Sequence, residues 1–193
     1  ALLEAGVRPV IGTSGVTPEE DERLDARARA LELGGLVVPN FSLGSWLLQE
    51  TAERLARHFP AAEIVELHHD RKRDAPSGTA LETARRMAAA RGAHGLPPFG
   101  ASAREGDDDA ARGRRGSGVC LPSVRLPGLY AQHGVLLAVP GEVVALRHDM
   151  HGTEAFGPGL LAALRYAATA RGVARGLGFA LARPERPEPT QPE

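Results

Sequence analysis

Residues 9 to 38 restrict the fold most, because a short apolar run, a capped helix and a second apolar run follow one another there with almost nothing between. Val10-Ile11 ends at Gly12. Thr17 stands before Pro18, Glu19 and Glu20, which together supply an N-cap, a first-turn proline and acids at the positive helix end. Leu24, Ala28 and Leu31 recur at helical spacing, Gly34-Gly35 is expected to stop the helix, and Leu36-Val37-Val38 returns as a buried strand. Strand, helix and strand in this order make a βαβ piece of a parallel sheet. Such sheets bind ligands beyond the carboxyl ends of their strands, where Gly12-Thr13-Ser14 and Pro39-Asn40-Phe41 both fall.

The chain then changes character. A helix is expected from about Ser45 to Phe59 with Trp46, Ala52, Leu55 and Phe59 inward, followed by a strand from Ala62 to His68. A third helix begins at Pro76 or Ser77 and runs through Leu81, Ala84 and Met87 to Gly92. Residues 92–118 mix Gly, Pro, Asp and Arg without a period and are expected to form a long mobile loop. Strands near 119–126, 129–139 and 142–150, broken at Pro127-Gly128 and Pro140-Gly141, imply an antiparallel meander. Pro158 opens a last helix over Leu160 to Ala170, and the Pro-, Glu- and Arg-rich segment 183–193 is expected to be disordered. A βαβ fragment, an α+β block and a helix without a partner in that block suggest a discontinuous dinucleotide-binding domain, 1–41 and 152–182, with a second domain, 42–151, inserted into it. A ligand between two domains is the common arrangement.

Composition excludes several classes. The net charge of −1 leaves no electrostatic footprint for nucleic acid or an acidic membrane. The lone Cys120 cannot form an internal disulfide, no apolar run approaches ~20 residues, and no basic segment leads a short apolar stretch, so a cytoplasmic protein is expected. His133, His148, Asp149 and His151 fit no zinc spacing, and no metal is expected.

The chemistry concentrates in Glu66-Leu67-His68-His69-Asp70-Arg71-Lys72-Arg73-Asp74-Ala75-Pro76-Ser77-Gly78-Thr79-Ala80. Lys72 is the only lysine among twenty-two arginines, a compact ammonium where every other cation is a planar guanidinium. Two adjacent histidines can exchange protons near neutral pH. Ser77-Gly78-Thr79 leads into a helix whose free backbone N–H groups can hold an anion, with Asp74 or Ser77 as cap. Proton donor, cation and anion cradle point to a small, negatively charged substrate. On a continuous strand, however, His68 and His69 would face opposite ways and could share a ligand only if the strand ends there.

The string HHDRKRDAPSGTA closely resembles the substrate-site signature of the dihydrodipicolinate reductase (4-hydroxy-tetrahydrodipicolinate reductase) family, nicotinamide-dependent enzymes of the diaminopimelate route to lysine. Val10 to Gly15, Pro39 to Gly44, Arg147-His148-Asp149 and Phe156 to Gly159 are similar to the same family in the same order, so that the likeness covers most of residues 7 to 182. The resemblance implies an α/β fold: the C-terminal part of a Rossmann-like dinucleotide domain with an inserted α+β substrate and oligomerisation domain built on an open, largely antiparallel sheet. It implies that His68 is the acid that complements hydride delivery, and that Lys72 binds substrate and stabilises developing charge. His69, Gly78 and Thr79 would contact a dicarboxylate. NADH or NADPH would lie on Gly12, Thr13 and Ser14 and on Val38, Pro39, Asn40 and Phe41, and the assembly would be a homotetramer.

The family begins with a strand, a glycine-rich turn that seats the pyrophosphate and a residue that reads the ribose, whereas this chain opens at Ala1-Leu2-Leu3-Glu4-Ala5; an N-terminally truncated copy is expected. Thr153 stands where the family often carries an arginine, three residues before Phe156. Two alternatives stay open: a non-catalytic truncated copy that only oligomerises or binds substrate, and another split oxidoreductase of homoserine- or sugar-dehydrogenase type. The unbroken HHDRKRDAPSGTA string weighs against the second.

Overall fold

The structure, a computed structural model, describes residues 1–13, 15–100 and 113–182. In chain order its strands are β1 (Val10–Ile11), β2 (Gly34–Val37), β3 (Ala61–His68), β4 (Arg114–Gly116), β5 (Val119–Leu121), β6 (Ser123–Arg125), β7 (Ala131–Val139), β8 (Glu142–Met150) and β9 (Gly172–Arg175). The helices are α1 (Pro18–Ala30), α2 (Leu43–Leu55), α3 (Gly78–Ala93), α4 (Gly157–Thr169) and α5 (Gly178–Leu181). They form two compact units, one of Ala1–Phe41 with Phe156–Glu193 and the other of Ser42–Ala155.

The first unit is a parallel three-stranded sheet in the order β1-β2-β9. Helix α1 starts at a complete capping box: Thr17 Oγ1 accepts the Glu20 N–H at 3.2 Å while Glu20 Oε2 accepts the Thr17 N–H at 2.9 Å. Its end differs from the expectation. The helix stops at Ala30 and the left-handed residue beyond it is Glu32, with φ 55°, whereas Gly34 and Gly35 are buried inside β2. The glycine at 34 is required by proximity: a Cβ there would lie 2.3 Å from the Ala170 carbonyl oxygen and 2.5 Å from that of Ala167, so the end of α4 rests directly on strand backbone. Strand β9 was not read from the sequence. Four residues with no alternation carry no local signal, and it exists through pairing with β2 from Gly34↔Gly172 to Val37↔Arg175, with Asp25 Oδ1 accepting the Val173 N–H at 2.8 Å.

The second unit is a six-stranded mixed sheet, β4-β5-β3-β7-β8, with β6 also beside β3. The expected three-strand meander is corrected here. Segment 119–126 is two strands interrupted at Pro122, and both pair in parallel with β3 rather than with β7. Strand β3 separates them, pairing antiparallel with β7 from Ala61↔Ala138 to His68↔Ala131. Proline has no N–H to give a ladder, but the Pro122 carbonyl accepts the Glu66 N–H at 3.0 Å. Only β7 and β8 form the hairpin that Pro140-Gly141 signals.

Helices α2 and α3 pack on one face of this sheet, burying Leu48, Ala52, Ala56 and Phe59 from the α2 region, Ala80, Ala84 and Met87 from α3, and Ile64, Val135 and Leu137 from the strands. Each large side chain so buried is worth about 1.5–3 kcal/mol. Helix α2 begins earlier than expected, at Leu43, because Ser42 Oγ accepts the Ser45 N–H at 3.2 Å, and it ends at Leu55 rather than Phe59. The opposite sheet face leaves Leu136 and Val143 exposed. The expected loop 92–118 is corrected in part: Arg91 donates to the carbonyls of Ala56, Phe59 and Pro97 at 2.8–2.9 Å and stacks over the Phe99 ring, and 114–116 is strand β4. Its centre, 101–112, and the expected tail, 183–193, lie outside the described residues.

Candidate functional site

In the second unit, the end of β3, the connection 69–77 and the first turn of α3 carry the residues singled out above. The strand ends at His68, so His69 is released from the alternation that would have turned it to the opposite face. Ile64, Glu66 and His68 share the helix-covered side. Glu66 is completely buried, and its carboxylate accepts a bond from the His68 Nδ1–H. Arg125 reaches it as a fork, Nη2 to Oε1 at 2.8 Å and Nη1 to Oε2 at 3.0 Å, and the Ser77 N–H points at Oε1 from 3.3 Å. Burial alone would raise the Glu66 carboxyl, but hydrogen bonds from His68 and Arg125 outweigh it and bring it down to about 2. A carboxylate ionised near neutral pH thus holds Nδ1 of His68, and Nε2 has no partner among the described residues.

Arg125 extends the network. It is the β6 partner of His68 in the parallel ladder, and its Nη2 also donates to the Asp74 carbonyl at 2.6 Å. Asp74 is not the helix cap; its Oδ1 accepts from Lys72 Nζ at 2.8 Å, and that bond holds its carboxyl below the ordinary range. The cap is Ser77, whose Oγ accepts the Ala80 N–H at 3.2 Å, and Pro76 therefore precedes the cap instead of occupying the first turn. The N–H groups of Gly78 and Thr79 meet no acceptor among the described residues, and a Cβ built on Gly78 would meet nothing within 4 Å. An anion can approach that backbone freely. Hydrogen bonds therefore connect the His68 imidazole, the Lys72 ammonium and the start of α3 around one buried carboxylate. Glu66 and Arg125 were not assigned from the sequence. Glu66 had a signal, two residues before His68 on a strand of period two, while Arg125 had none, because only strand pairing brings it there.

The other histidines divide. His133 is the β7 partner of Glu66 and His148 the β8 partner of His133. Burial, more than the neighbouring His148 and His68, pushes the His133 imidazole down to about 4, and burial also lowers His148, whose Nε2 lies 3.2 Å from Ser42 Oγ. Among the described residues no cluster of histidines, cysteines and carboxylates could hold a metal ion.

In the first unit, Gly12-Thr13 and Val38 to Phe41 follow adjacent parallel strands. A Cβ on Gly12 would come within 2.8 Å of the Phe41 ring, so bare backbone and aromatic edge are in contact there, with Gly12 and Thr13 exposed, Thr13 Oγ1 accepting the Gly15 N–H at 3.1 Å, and Val38 bonded back to the Ile11 carbonyl. Ser14 lies outside the described residues. Backbone and aromatic surface of this kind suit the ring end of a nicotinamide dinucleotide.

The profile of the family described as "Dihydrodipicolinate reductase, C-terminus" matches residues 44–177. The 4-hydroxy-tetrahydrodipicolinate reductase of Moorella thermoacetica is 45% identical over 91% of this chain and 64% of its own length, and that of Lactococcus lactis is 44% identical over 91% and 66%. A dipicolinate-bound dihydrodipicolinate reductase from Paenisporosarcina sp. TG-14 superposes with a TM-score of 0.78 at 37% identity, over 91% of this chain and 65% of that one. The chain thus spans about two thirds of the length of the relatives it matches. The buried carboxylate, histidine, lysine and helix end all fall within the matched span, and the chain belongs to the dihydrodipicolinate reductase family.

Proposed function

We propose that this chain carries the substrate-reducing machinery of an NADH- or NADPH-dependent 4-hydroxy-tetrahydrodipicolinate reductase of diaminopimelate and lysine biosynthesis. One observation supports it above the others: His68 is tied at Nδ1 to a buried carboxylate, so that only Nε2 is left to give a proton. A bound nicotinamide supplies hydride. The Nε2–H of an imidazolium at His68 then donates the proton that completes reduction of a cyclic imine. Lys72, His69 and the N–H groups of Gly78 and Thr79 bind the two carboxylates, and the ammonium also steadies the charge that develops as the imine is reduced. Gly12, Thr13, Ser14 and Val38 to Phe41 seat the nicotinamide end of the cofactor. The biosynthetic relatives support a cytoplasmic place of work, and the exposed Leu136 and Val143 support assembly as a homotetramer through the outer sheet face.

The test joins the N-terminal segment of the Moorella thermoacetica relative to this chain and follows oxidation of NADH and NADPH with freshly generated substrate. His68→Gln should lower turnover by about 10²-fold and leave dinucleotide affinity nearly unchanged. Equal turnover in the variant removes His68 from the mechanism.

A further inference from the structure

We infer that Glu66 is a positioning residue: its carboxylate, charge-balanced by the Arg125 fork, fixes the His68 ring as the Nδ1–H tautomer and leaves Nε2 as the site of proton exchange. The role rests on the reading of His68 as proton donor, but the geometry stands by itself. Which nitrogen of an imidazole carries the proton is set by the partner of the other one. Here that partner is an acceptor with no solvent to compete for it, since the Glu66 side chain has no exposed surface. An isolated buried carboxylate would take up a proton and lose this ability. Arg125 prevents it by donating to both oxygens, and the Ser77 N–H adds a third contact from the start of α3.

The groups facing the pair are Arg125 and Ser123 on β6, His133 on β7, and Ser77 ahead of α3. None of these offers His68 a second acceptor among the described contacts. Arg125 is shared with the Asp74 carbonyl, and Asp74 with Lys72, so the charge that orients the imidazole also anchors the segment that carries the ammonium.

The experiment is nitrogen-15 spectroscopy of the histidine rings in the chain itself, with His68 assigned by its loss in His68→Gln. Wild type should show His68 protonated at Nδ1 with Nε2 bare at alkaline pH. Glu66→Gln should reduce the Nδ1–H population. Because that variant leaves Arg125 without its counter-charge and could unfold, the double variant Glu66→Met, Arg125→Met removes both charges together; in it the Nδ1–H form should fall from dominant to minor while the far-ultraviolet spectrum stays native. Retention of a dominant Nδ1–H form in the folded double variant overturns the inference, whatever becomes of the reductase assignment. Undiminished turnover in His68→Gln overturns that assignment and leaves the tautomer result untouched.

Discussion

Acid should weaken the second unit in a window set by His133. The residue is 6% exposed, its Nε2 has no hydrogen-bond partner among the described residues, and burial holds the imidazole at about 4 against an ordinary 6.5. Glu66 on β3 favours the charged form, while His148 on β8 and His68 on β3 oppose it. The unfolded chain therefore takes up a proton that the folded chain refuses. Stability is fully present above about pH 6.5 and is lost as the pH falls towards 4. At pH 5 the difference spans about 1.5 pH units, or roughly 2 kcal/mol. Glu66 works in a lower window, because its carboxyl is depressed from 4.5 to about 2 and its contribution is lost only below 4.5. A comparison of pH 7.5 with pH 5 thus isolates histidine from carboxylate. Trp46, the single tryptophan, lies on α2 and reports on this unit by fluorescence during urea unfolding. Wild type should lose about 2 kcal/mol between the two pH values, and His133→Leu, which fills the site without a titrating group, should lose much less. His148 is lowered too and leaves a residual slope. If His133→Leu kept the full wild-type slope, the assignment of the acid sensitivity to this buried ring would be refuted.

Two more outcomes can be measured directly. Lys72→Arg should cut kcat/KM by at least about tenfold in the N-terminally joined enzyme, because a planar fork replaces a compact ammonium already seated on Asp74, and wild-type kinetics would show that any cation suffices. Gly34→Ala should destabilise the first unit by about 1–3 kcal/mol or more, since its Cβ would meet two carbonyl oxygens of the α4 end at 2.3 and 2.5 Å; calorimetry showing an unchanged transition would mean that helix and strand separate without cost.

Much of this protein was legible as sequence wherever the signal was local. Thr17 followed by Pro18, Glu19 and Glu20 marked the start of α1, Ser77 was one of two caps considered for α3, alternation over 62–68 marked β3, and the turn at Pro140-Gly141 marked the start of β8. The unique lysine, the histidine pair and Ser-Gly-Thr located the candidate site for the same reason, being neighbours in the chain. Strand order was a different matter. A short turn at Pro127-Gly128 suggests a hairpin, yet β3 lies between β6 and β7, because pairing is decided by which apolar faces can be buried together and turn chemistry constrains only adjacent residues. The same insertion of β3 set Arg125 beside His68, fifty-seven positions away, and kept a buried carboxylate anionic near neutral pH. Sequence determined which side chains could do acid–base and anion chemistry; only tertiary structure decided that His68 offers one nitrogen alone, since hydrogen-bond partners across strands leave no period, cap or turn for a local pattern to record.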